Sequence, residues 1–111
     1  MASKPLIWVS TTLDRVRTFP EAARREAGHQ LHRLQLGLEP SDWKPMSSVG
    51  PGVAEIRIHE RGEYRVLYVA KFPEAIYVLH AFAKKSQQTR QPEIEQARRN
   101  LAEVLRHRRE E

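Results

Sequence analysis

The chain has 111 residues, 40% of them hydrophobic, which suffices for one ordinary core, falls short of two domains and is too apolar for wholesale disorder. It contains no cysteine, which excludes disulfide scaffolds, thiolate zinc sites and cysteine nucleophiles together and fits a reducing compartment, the cytoplasm being the simplest address. Nineteen Lys and Arg against fourteen Asp and Glu give a formal charge of +5, which favours a polyanion or an acidic protein partner.

The first predicted element is the short run Leu6-Ile7-Trp8-Val9, rich in strand formers. Four apolar residues are too few for a signal-peptide core or a membrane span, so neither export nor insertion is expected. Ser10-Thr11-Thr12 then offers caps for a short helix carrying Leu13, Val16 and Phe19. Thr18-Phe19-Pro20-Glu21 has capping-box spacing, and Ala23, Ala27, Leu31 and Leu34 follow on one helical face that Gly37 and Pro40 terminate. Between Leu38 and Gly52, Pro, Gly and Ser concentrate, predicting a long loop pinned by Trp43.

From Val53 the period changes to two. Ala54, Ile56 and Ile58 alternate with Glu55, Arg57 and His59, as in a strand with one apolar and one polar face. Glu60-Arg61-Gly62-Glu63 supplies a turn into a strand over Tyr64 to Ala70. Lys71-Phe72-Pro73-Glu74 turns again into a third strand over Ala75 to Phe82. After Pro92, the positions Ile94, Ala97, Leu101, Val104 and Leu105 mark a terminal amphipathic helix. The expected architecture is α+β, ordered β-α-α-β-β-β-α, with the helices on one face of a mainly antiparallel sheet. One domain spans 1–111, ordered over about 6–105, with a tail at 106–111 that frays.

Such a sheet leaves one face free. Alternation places Arg57 and His59 together on it, Arg65 lies just across the turn, and Lys84 and Lys85 emerge where the third strand ends. These cations can form a phosphate-binding cleft, because guanidinium groups bind phosphate oxygens bidentately and stabilise charge that develops in phosphoryl transfer. They can equally be an ordinary solvated face. RNA cleavage needs no metal when the 2′-hydroxyl attacks the neighbouring phosphate. The acid or base can then be His59, His80 or a lysine whose pKa is depressed by crowding cations, and the sequence does not choose. His29 and His32 stand at i, i+3 without a third ligand, and Glu60, Glu63, Glu93 and Glu95 form no two-metal ligand set, so no metal site is expected. Trp8, Phe19, Tyr68 and Phe82 read as core rather than as base-stacking platforms.

Four segments, FPEAARREAGHQLHRLQLG, DWKPMSSVGPGVAEIRI, GEYRVLYVAKF and YVLHAFAKKSQQT, in this order, resemble the RelE/ParE toxin superfamily, and most closely its HigB-like, phage-derived branch. The resemblance runs from about Leu6 to Leu105. It implies a RelE-like, microbial-RNase-type fold, ribosome-dependent cleavage of mRNA without a cofactor, and neutralisation by an antitoxin, commonly a helix-turn-helix protein. Carried over residue by residue, it assigns contacts with the scissile phosphate to Arg57, Arg65 and Lys85. His59 joins these as a catalytic candidate, and Lys84, Lys71, Arg61 and Arg90 are expected to contact RNA. This sequence departs from the RelE pattern at Glu55, which occupies the first basic strand position, and at Gln87 to Gln91, where the C-terminal tyrosine is missing.

Two other functions compete: a ParE-like gyrase poison, against which Arg57, Arg65 and Lys85 weigh, and a non-toxic module that only grips an antitoxin. No carboxylate–histidine pair is identifiable in the sequence, so cleavage is expected to depend on the ribosome to orient the message. The antitoxin is expected to cover or distort the cleft around Arg57, Arg65 and Lys85.

Overall fold

A computed structural model describes residues 3–110, so Met1, Ala2 and Glu111, the ends of the N-terminal stretch and of the tail, lie outside the described residues. The order is β1 (Leu6–Trp8), α1 (Thr12–Arg17), α2 (Glu21–Gln35), β2 (Trp43–Pro45), β3 (Val53–His59), β4 (Glu63–Val69), β5 (Ile76–Ala83) and α3 (Gln91–Glu110). The segment expected to be wholly loop therefore contributes an edge strand, β2. Helix α3 runs through Arg106 to Glu110, where fraying was expected; Arg108 there pairs with Glu74 and stacks on Phe72.

The chain forms a mixed α+β structure around a five-stranded sheet ordered β1-β5-β4-β3-β2. β1 pairs parallel with β5, and the other three pairings are antiparallel. The expected hairpin is present, with His59 opposite Glu63 and Arg61 at its tip in the left-handed region (φ 56°). Helix α2 ends as its glycine suggests. Gly37 (φ 81°) donates to the Leu34 carbonyl and Leu38 to that of Arg33, a Schellman closure that only a residue tolerant of positive φ makes cheaply. The capping box does not form: Pro20 occupies the N-cap, and the Thr18 hydroxyl donates to the Arg15 carbonyl instead.

The helices do not share one face. Helices α1 and α2 pack Val16, Phe19, Ala23, Ala27 and Leu31 against Ala54, Ile56, Ile58, Val66 and Val78. Helix α3 packs Ala97, Leu101 and Val104 on the opposite face, against Val53, Leu67, Val69, Leu79 and Phe82. The physical reason lies in the two central strands. Val66, Leu67, Tyr68 and Val69 are consecutive and each at most 5% exposed, so β4 presents apolar side chains to both sides and both must be covered. Removing each of the larger aliphatic ones from water contributes roughly 1.5 to 3 kcal/mol.

A bulge then shapes the α3 face. Leu67 pairs with His80 but Tyr68 with Val78, so Leu79 is the extra residue and both Leu79 and His80 turn toward α3. The freed Leu79 carbonyl accepts hydrogen bonds from Thr12 Oγ1 (3.2 Å) and Asn100 Nδ2 (2.6 Å), tying α1 and α3 to the same strand. The polar residues of β3 gather at the hairpin end of this face, covered not by α3 itself but by the segment that leads into it, from which Thr89 reaches Glu55.

Candidate functional site

Arg57 stands opposite Arg65 across β3 and β4, Glu55 lies opposite Lys44 of β2, and Lys84 follows β5 with its backbone N–H bonded to the Glu63 carbonyl (2.7 Å). These residues share the hairpin end of the α3 face. The cluster is not the solvated patch that alternation suggests. Arg65 is 2% exposed and Glu55 fully buried. Arg65 Nε lies 3.5 Å from Glu55 Oε1, its Nη1 donates to the Tyr64 carbonyl (2.9 Å), and both Nη atoms reach Glu63 Oε1 (3.2 Å). The guanidinium is thus held between a buried and a rim carboxylate. This corrects its expected placement on a free face: one edge of Arg65 borders a shallow depression with Lys84, Lys85, Ser86 and Gln87, and the rest is enclosed.

Glu55 is the hub that sequence reasoning missed. Besides Arg65 it meets Lys44 Nζ at 3.9 Å and accepts from the Thr89 hydroxyl at 3.2 Å. Burying a carboxylate is costly unless it is paired, and here the pairing also fixes Arg65 in place. Glu55 Oε1, Arg57 Nε and Arg65 Nε, all buried, have no aligned hydrogen-bond partner among the described residues. The signal was present in the sequence as an acid alternating with basic residues on one strand, in a position that the RelE pattern makes basic.

Lys84 rather than Lys85 joins the arginines. Its ammonium is held below its ordinary pKa of 10.5 by desolvation first and then by the field of Arg65, with Lys44 and Arg57 adding to it. This is the crowded lysine that the sequence left unassigned. Lys85 is exposed and borders both the depression beside Arg65 and the cleft beyond it.

His59, half exposed, is bracketed by carboxylates: Nε2 lies 2.6 Å from Asp42 Oδ2 and Nδ1 lies 2.8 Å from Glu63. The hydrogen bond to Asp42, then that to Glu63, raises the imidazole pKa, and the same contact lowers that of Glu63. Both ring nitrogens therefore suit an imidazolium that donates. A second pair joins His80 Nε2 to Glu93 Oε1 at 2.7 Å beneath α3, where burial outweighs Glu93 and depresses the imidazole pKa. The expectation that no carboxylate–histidine pair exists is thereby corrected. Glu63 faces His59 across the hairpin turn, four residues on, whereas Asp42 lies 17 residues from His59 and Glu93 lies 13 from His80, so these last two partnerships are set by the fold and not by local spacing.

The other expected RNA contacts disperse. Arg61 sits at the hairpin tip beside His59. Arg90 lines a cleft of about 480 Å³ beyond the Lys84–Lys85 ridge. Lys71 follows the far end of β4, six residues from Arg65 and so about 20 Å away along the strand, with its ammonium over Phe72. His29 and His32 gain no third ligand: no cluster of three metal-capable side chains occurs among the described residues. No helix there is long and apolar enough to cross a membrane.

A mixed α+β structure with cations and a carboxylate-bracketed imidazole at one end of its sheet defines a class that comparison with known proteins narrows. The family model described as phage derived protein Gp49-like (DUF891) matches residues 14–102. The chain belongs to this phage-derived family of RelE/HigB-like, toxin–antitoxin-type proteins. Comparison with curated proteins returns no match.

Proposed function

We propose that the protein is the toxin of a type II toxin–antitoxin pair, with a RelE-like fold, and that it cleaves mRNA on the cytoplasmic ribosome without a metal. One observation carries this reading. Arg57, Arg65 and Lys84 converge beside His59, which places charge stabilisation, a lysine of lowered pKa and a proton-bearing imidazole within one site. Lys84 in its neutral form takes the proton of the 2′-hydroxyl, whose oxygen attacks the adjacent phosphorus. The bond to the 5′-oxygen breaks, and His59 protonates that oxygen as a 2′,3′-cyclic phosphate forms. Arg57, the more open arginine, contacts the phosphate; Arg65 adds positive potential from below.

The site is rich in charge but open, and His59 must release one carboxylate before it can donate to substrate. A message held in attack geometry by the ribosome relieves this deficit, since good orientation is worth roughly 7 to 11 kcal/mol. The test is to incubate purified protein with one mRNA, naked and within translating ribosomes, and to map new 5′ ends. Cutting confined to ribosomes supports the proposal, and no cutting in either refutes it. A family of this type implies an antitoxin, here proposed to be a helix-turn-helix protein. The neutralisation of Arg65 by Glu55 and Glu63 favours one alternative, a non-toxic module whose only ligand is that antitoxin.

A further inference from the structure

Beyond the Lys84–Lys85 ridge, the surface falls into the 480 Å³ cleft at the outer side of β5. Strand β1 ends opposite Val78, so the last residues of β5 have no strand beside them there. The gap is walled by the α1–α2 corner (Arg15 to Pro20) on one side and by the segment from Lys84 into α3 on the other. Four cations line it, Arg15, Lys84, Lys85 and Arg90, against a single carboxylate, Glu93, which is already bonded to His80. None of the four makes an ion pair among the described residues. The half-buried Tyr64 ring, seated on Phe19 with centroids 4.8 Å apart, forms an aromatic wall.

We infer that this cleft is a single-stranded RNA subsite: it takes an unpaired nucleotide next to the one at Arg57, with the base against Tyr64 and a phosphate between Arg15 and Arg90. The inference rests on the proposed RNA-cleaving role and extends its contact surface. Lys84, Lys85 and Ser86 border both the cleft and the depression beside Arg65, so one strand can cross from one to the other without leaving a positive surface. The size suits it, being that of a small-molecule site. An aromatic ring flanked by unpaired cations is the usual equipment for an unpaired base and its phosphate. Only a few residues of β5 are free at this edge, too few for a peptide strand to add with much affinity, which favours a nucleotide over a β-augmenting peptide.

The experiment is fluorescence anisotropy of a labelled hexa-adenylate RNA at 50 to 200 mM salt, with wild type, Arg15→Gln/Arg90→Gln and Arg57→Gln proteins. Both arginines of the double variant are exposed and unpaired, so its melting temperature should match wild type. Its affinity should fall roughly tenfold, and the slope of log K against log salt should become shallower by about 1.4, the value for two lost single-strand contacts. An abasic hexamer should bind wild type about 5- to 150-fold more weakly, as expected for one lost stack, and the Tyr64→Leu variant should erase that difference. Loss of binding in Arg57→Gln but not in Arg15→Gln/Arg90→Gln overturns the subsite and leaves the active-site reading intact. The reverse pattern keeps the subsite and removes the phosphate role of Arg57. Tighter binding of a hexaglutamate peptide that displaces the RNA makes the cleft a protein-docking surface and overturns the inference.

Discussion

Replacing Arg65 with alanine tests the buried ion pair most directly. In the folded protein Glu55 is fully buried, and Arg65, with a side chain 3% exposed, is its nearest counter-charge. Removing the guanidinium leaves the carboxylate with Lys44 at 3.9 Å, itself 44% exposed, and one hydroxyl at 3.2 Å. Breaking a buried pair on one side costs about 3 to 5 kcal/mol, and the residual contacts favour the lower end. Near 3 kcal/mol, the melting temperature should fall by about 12 °C, and the urea midpoint by about 2 M for a slope near 1.5 kcal/mol/M. The partner change Glu55→Gln in the same chain removes the stranded charge, so Arg65→Ala/Glu55→Gln should regain at least about 1 kcal/mol over Arg65→Ala alone. Urea titration followed by tryptophan fluorescence reads all three chains. A loss under about 0.5 kcal/mol for Arg65→Ala, or no recovery in the double variant, would refute the argument, because either result describes an ordinary surface arginine. The outcome also governs any toxicity assay, since an inactive Arg65→Ala protein is uninformative about catalysis until its folded fraction is known.

Lys84→Gln should lower the cleavage rate on ribosomes by about 10²- to 10⁴-fold while Lys85→Gln lowers it far less; equal losses would argue against Lys84 as the base. The His59 imidazole should titrate above 6.5 in NMR, and Asp42→Asn should bring it down more than any change elsewhere in the cluster, Asp42 being its first cause. Because that folded pKa is raised, the stabilisation is complete below about 6.5 and disappears as pH rises through the folded value. His80 has the opposite sign: its depressed pKa makes stability fall as pH drops below 6.5, so global melts mix the two and only residue-resolved titration separates them. At the glycines, Gly28→Ala in the middle of α2, where an added Cβ meets nothing within 4 Å, should stabilise by about 0.5 to 1 kcal/mol. Gly37→Ala, at φ 81°, should destabilise by about 1 to 2 kcal/mol, as chemical denaturation will show.

The strands and helices were legible wherever one period dominated. Ala54, Ile56 and Ile58 share one side of β3 as their alternation predicts, although Glu55 on the other side is buried too, and the apolar stripe of α2 appears in the structure. The helices expected on one face cover both, because the two-faced pattern of β3 does not extend to β4 and β5. The uninterrupted apolar runs of β4 and β5 carried the contrary information, that both sides are covered. Strand β2 was missed because three residues ending in Pro45 have no period; they become a strand only by pairing with Ala54 to Ile56. Within the site, local spacing brought Arg57, His59 and Arg65 together correctly but said nothing of depth. Whether a charged side chain at a strand position is solvated depends on what packs over it, and Thr89 and the chain leading into α3 come from more than thirty residues away. The pairings of His59 with Asp42 and of His80 with Glu93 were hidden for the same reason, and a bulge at Leu79, which sets the side to which His80 points, leaves no mark in the sequence.

The blunt margins of the sheet bear on how the protein behaves at high concentration. Both outer strands have three residues, and one of them ends in a proline that has no N–H to offer a neighbour. A second molecule seeking to extend the sheet finds little ladder at either border. A further stretch without a strand beside it, at the end of β5, is guarded by Lys84, Lys85, Arg15 and Arg90. Two copies approaching there would bring like charges together, so edge-to-edge stacking into fibres is disfavoured most at low ionic strength, while an anionic ligand finds the same border open.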